Sequence, residues 1–128
     1  MSRATQLEKQ IDTAFVDLRQ NYAKTLRSVA SLKRKVNDLE LRASRGGSTQ
    51  ADELEKLNLA AKELDRFIDS FISQATRTKE RCEKLKLKCS AQSVEPLGLK
   101  DLLSLCSEYE QLAKDLLCYS LGRLEIAR

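Results

Sequence analysis

The chain has 128 residues, 33% of them charged, with a net charge of +4 and a pI near 8.9. It contains four glycines and one proline, 5% aromatic residues, and neither Trp nor His. So few turn formers exclude a β-domain and favour long solvated helices, and the mild basicity falls short of the clustered charge that marks a nucleic-acid-binding protein.

The composition bounds location and chemistry as well. No apolar run approaches the ~20 residues of a membrane span, and the opening MSRATQLEKQ lacks the apolar core of a secretory signal. A cytoplasmic, alternatively nuclear, protein is predicted, neither secreted nor transmembrane. Cys82, Cys89, Cys106 and Cys118 form no close pair and have no His to complete a metal site, so reduced, buried thiols are expected, with no metal or other cofactor.

Along the first segment, Ala4, Leu7, Ile11, Ala14, Leu18, Tyr22, Thr25, Val29, Leu32, Val36 and Leu39 recur at alternating steps of three and four. One four-four step at Ala14, Leu18 and Tyr22 is a stutter. The spacing predicts a helix over about 3–43.

Gly46 and Gly47 interrupt the pattern, which resumes at Leu54, Leu57, Ala61, Leu64, Ile68, Phe71, Ala75, Thr78, Cys82, Leu85 and Cys89. A second helix over about 50–91 follows. The two seams are reflections: Leu39 mirrors Leu54, Val36 mirrors Leu57, Val29 mirrors Leu64, Tyr22 mirrors Phe71 and Ile11 mirrors Cys82, about a midpoint between the two glycines. An antiparallel hairpin is predicted, with the glycines supplying the left-handed backbone of the turn. Thr49 and Asp52 read as an N-cap and its reciprocal carboxylate. Basic residues ending the first helix face Asp52, Glu53 and Glu55 across the turn, each set suited to its helix dipole.

Pro96 disfavours helix at Glu95, so the second helix should stop by about Gln92 and a third should cover about 98–127. Leu99, Leu102, Leu103, Leu105, Cys106, Tyr109, Leu112, Ala113, Leu116, Leu117, Tyr119, Leu121 and Leu124 make a stripe too wide for one neighbour. It should lie in the groove of the hairpin against Phe15, Val16, Leu26, Phe67 and Ile72, running out near Ala61 to Leu64. The fold class predicted is all-α: a single antiparallel three-helix bundle of two long coiled-coil helices and a shorter third, with a tip hairpin over about 36–57. Leu124, Ile126 and Ala127 continue the pattern with no capping residue, as expected either of a helix that frays at its end or of one that goes on beyond Arg128.

Absence of His removes the commonest general base, and no phosphate-cradling loop or nucleophile motif is present, so no enzyme is predicted. Cys82, Cys89 and Cys106 read as small core fillers. The tip, with Lys33, Arg34, Lys35, Arg42, Arg45, Leu41 and Leu59, is the preferred docking surface, and Leu103, Leu117 and Leu121 extend the surplus of apolar surface to the third helix. The function expected is a non-enzymatic scaffold or adaptor subunit of a larger cytoskeletal, kinetochore, trafficking or secretion assembly, with other helical proteins or its own copies as partners and no small-molecule substrate. An alternative is binding of nucleic acid or anionic lipid by Arg77, Lys79, Arg81, Lys84, Lys86 and Lys88. A weaker one is a chaperone or cofactor that cradles a client.

Overall fold

A computed structural model describes the backbone of residues 3–127 and the side chains of residues 5–122. Three helices pack against one another: α1 (Arg3–Ser44), α2 (Gln50–Ala91) and α3 (Leu97–Ala127), with no strand among the described residues. The all-α three-helix bundle is as predicted. The pairings of Ala4 and the side chains of Leu124, Ile126 and Ala127 lie outside the described residues.

The turn between α1 and α2 is built by the paired glycines, Gly46 at φ 71° and Gly47 at φ 103°. Neither position would suit a residue with a Cβ. The predicted capping box does not form. Thr49 sits at φ −99°, ψ 4° and makes no side-chain cap hydrogen bond, because the extended backbone that lets an N-cap hydroxyl fold onto the first-turn amides is missing. In its place the Gln50 side-chain amide crosses the turn and donates to the Ala43 carbonyl at 3.3 Å.

α2 ends in a Schellman motif: Val94 N–H donates to the Cys89 carbonyl at 2.9 Å and Ser93 N–H to Ser90 at 3.1 Å, with Ser93 left-handed at φ 55°. Pro96 is buried behind this turn. α3 then starts close to α1, where a Cβ on Gly98 would lie 3.3 Å from Ile11 Cγ2 and 3.3 Å from Asp12 Oδ1.

The core follows the two seams through most of their length: Leu7, Ile11, Ala14, Leu18, Val29, Val36 and Leu39 on α1, with Leu64, Ile68, Phe71, Ala75, Cys82, Leu85 and Cys89 on α2, are buried. α2 departs from its predicted seam near the turn. Ala60, not Ala61, is buried, Glu53 is half-buried and Leu54 is exposed. The inward positions Leu57, Ala60, Leu64 and Ile68 contain a second four-four step, which rotates the N-terminal turns of α2 relative to the rest.

α3 fills the hairpin groove at one aromatic layer. Tyr109 stacks on Phe71 with ring centroids 5.4 Å apart and meets Tyr22 at 5.7 Å. Such ring pairs add roughly 0.5–1.5 kcal/mol beyond burial. Of the hairpin residues expected to face α3, Phe15 and Ile72 are partly buried; Phe67 is partly buried beside the core, while Val16 and Leu26 stay exposed. α3 does not run out at Ala61 to Leu64: Tyr119 and Ser120 already meet Lys33 and Asp65, and the helix continues to Ala127, about 10 Å further toward the turn.

Candidate functional site

One rule of phase organises the surface. In an antiparallel helix pair, ~100° of rotation per residue carries the residue after each core position to one side of the pair and the residue before it to the other, on both helices alike. The residues after core positions meet α3: Lys33 follows Leu32, Asp65 follows Leu64, Ile72 follows Phe71 and Lys79 follows Thr78. The residues before core positions line the opposite face, which α3 leaves open.

Two shallow grooves between α1 and α2 lie on that open face. The larger, ≈ 570 Å³, is lined by Lys9, Gln10 and Thr13 of α1 and by Arg77, Glu80, Arg81, Lys84, Leu85 and Lys88 of α2. The second, ≈ 390 Å³, lies nearer the turn and is lined by Lys35, Asp38, Leu39, Arg42, Lys56, Leu59 and Ala60.

The six basic residues of the 77–88 segment are therefore not one surface. Arg77, Arg81, Lys84 and Lys88 immediately precede Thr78, Cys82, Leu85 and Cys89 and form a straight row on the open face. None of the four enters an ion pair among the described residues. Lys79 turns to the other side and meets Glu110 of α3 at 3.1 Å, a contact that raises its pKa. Lys86 lines a separate hollow with Cys89, Pro96, Lys100 and Leu103 beneath the α2–α3 loop.

The tip residues divide in the same way. Lys33 lies over the Tyr119 ring at 4.1 Å from its centroid, a cation–π contact within the bundle. Lys35 reaches Glu63 at 3.7 Å. Arg34 and Arg45 are exposed, and Leu41 and Leu59 leave 61% and 62% of their surface to solvent. On α3, Leu103 is partly buried against the core, whereas Leu117 (44%) and Leu121 (52%), one helical turn apart, are exposed. Lys56, which lines the groove near the turn, escaped the sequence reading; its place directly before the inward Leu57 is the signal that finds it.

No protein-family model matches this chain, and no curated protein or solved structure matches it significantly. The functional reading therefore rests on the surface itself.

Burial dominates the thiol chemistry. Cys82 is pushed up to about 12 by burial and by the neighbouring Cys106 thiol, its hydrogen-bond partner, and burial also raises Cys106 and Cys89. The raised pKa values disfavour the reactive thiolate at all three, whereas Cys118, expected to be buried with them, is exposed. Among the described residues no group of three or more His, Cys, Asp or Glu is placed to hold a metal ion, and no helix is long and apolar enough to cross a membrane.

Proposed function

We propose that this chain is a non-enzymatic helical protein–protein interaction module, a subunit of a larger assembly that docks helical partners or further copies of itself. The observation that carries the reading is the placement of Leu117 and Leu121 side by side on the outside of α3, with Leu41 and Leu59 exposed on the hairpin. Large apolar side chains paired on a helix face gain by meeting another helix, at roughly 25 cal/mol per Å² covered.

Light scattering and thermal melting across a wide concentration range test it. Association that strengthens with concentration, or capture of a helical partner, is expected, and Leu117→Glu/Leu121→Glu should abolish it while leaving the helical signal intact. A strictly monomeric protein that melts independently of concentration and whose cross-linked neighbours are the same with and without those two leucines overturns the reading.

A second reading is supported by the row Arg77, Arg81, Lys84 and Lys88, which enters no ion pair among the described residues: the open face binds a polyanion, nucleic acid or an anionic lipid surface. Such binding weakens steeply with salt. Arg81→Glu/Lys84→Glu should weaken retention on duplex RNA or phosphatidylserine vesicles far more than Lys79→Glu/Lys86→Glu, whose side chains lie off the row. Equal effects of the two pairs remove it.

A further inference from the structure

The open-face groove near the turn has a different character from the cationic row. Its floor is apolar, formed by the buried Leu39 and Ala60, and its wall is the exposed Leu59. Ala60 occupies an inward position where its successors on the seam are Leu64, Ile68 and Phe71. Ala60 is the smallest side chain of this run and lies at the floor of the groove.

The rim is cationic. Lys35 and Arg42 lie seven residues apart on α1, two helical turns or about 10.5 Å, and Lys56 stands opposite on α2. Asp38 is the one acid in the lining. Arg42 and Lys56 enter no ion pair among the described residues. Lys35 and Glu63 are paired, but both side chains are 59% exposed, so the pair is weak and can be exchanged for a better one.

We propose that this groove binds an acidic amphipathic helix of a partner protein, a specification that rests on the interaction-module reading. The match is geometric. An apolar side chain of the guest sits over Ala60 against Leu59, and carboxylates two turns apart on the same guest face meet Lys35 and Arg42, with Lys56 closing the far side. An apolar floor offers nothing to a phosphate chain, and no aromatic side chain lines the groove for a base to stack on. The occupant is a protein helix recognised by a helix-in-groove contact with charged flanks.

Two synthetic helical peptides with the same leucine face, one flanked by Glu and the other by Lys, are titrated into the isotope-labelled protein while backbone amide shifts are followed. The Glu peptide should bind saturably, more weakly at high salt, and move amides of residues 35–42 and 56–60. Arg42→Glu/Lys56→Glu should weaken it by roughly tenfold or more and bind the Lys peptide in its place. Equal binding of both peptides, no binding by either, or shifts confined to residues 77–88 overturn the proposal. The charge reversal leaves Leu117 and Leu121 untouched, so failure here with association intact removes this site and not the interaction module itself.

Discussion

The Tyr109 hydroxyl donates to the main-chain carbonyl of Leu18 at 3.1 Å, joining the middle of α3 to the middle of α1 inside the core. Leu18 is the centre of the α1 stutter, where two successive steps of four loosen the phase of the helix and bring Tyr22 beside the same ring. The irregularity in α1 is thus the place where the third helix is locked on. Tyr109→Phe keeps the ring layer and should cost roughly 0.5–1.5 kcal/mol, whereas Tyr109→Ala should cost about 3–5 kcal/mol. Urea denaturation of the two variants checks this, and equal losses would mean that the ring layer contributes nothing.

Alkaline pH should loosen the bundle through the same region. Burial pushes Tyr109 up to about 12 from 10.0, and Cys82 up to about 12 from 9.0. Both groups are neutral when protonated, and the fold holds the proton more tightly than the open chain does. Their contribution is therefore complete below pH 9 and is lost as pH climbs from 9 toward 12. The melting temperature should be level from pH 7 to 9 and then fall, with a shallower fall in Tyr109→Phe and in Cys82→Ala measured against their own neutral-pH values.

Ser93 holds a left-handed conformation at φ 55°, the position of the Schellman motif that glycine usually takes. Ser93→Gly should raise stability by roughly 0.5–1 kcal/mol, the relief of the Cβ clash offset by the extra freedom of the unfolded glycine. A melting temperature that drops on this substitution would show that the serine side chain contributes something the motif does not need.

At the turn, Glu53 Oε2 is buried with no hydrogen-bond partner. An orphaned buried acceptor costs roughly 1–3 kcal/mol, more than the roughly 0.3–1 kcal/mol that a carboxylate gains from the first turn of α2. Glu53→Leu should therefore stabilise the protein and Glu53→Gln, which keeps an acceptor there, should not. Chemical denaturation of the pair decides the sign.

Thiol accessibility gives the simplest check of the packing. Cys82, Cys89 and Cys106 are buried and Cys118 is exposed. A thiol-reactive dye should label Cys118 within the mixing period and the other three only under denaturing conditions. Rapid labelling of Cys82 or Cys106 would show that α3 does not stay docked on α2.

The sequence by itself determined three helices, their lengths and their antiparallel order, because mirror-related runs with a period near 3.5 residues about Gly46 and Gly47 admit one pairing, and because Pro96 stops helix locally. Ser93 and Gln50 were not legible, since a serine in a left-handed cap and an amide reaching across a turn carry no pattern of their own. Tertiary structure alone decided which side of the hairpin α3 covers, that Lys79 is spent on Glu110 while Arg77, Arg81, Lys84 and Lys88 stay in a row, and that Ala60 faces inward so that Leu59 borders a groove. The physical reason is rotation. A shift of one residue turns a side chain by ~100° about the helix axis, and only the packed third helix fixes which of the two flanks of the seam is left to solvent.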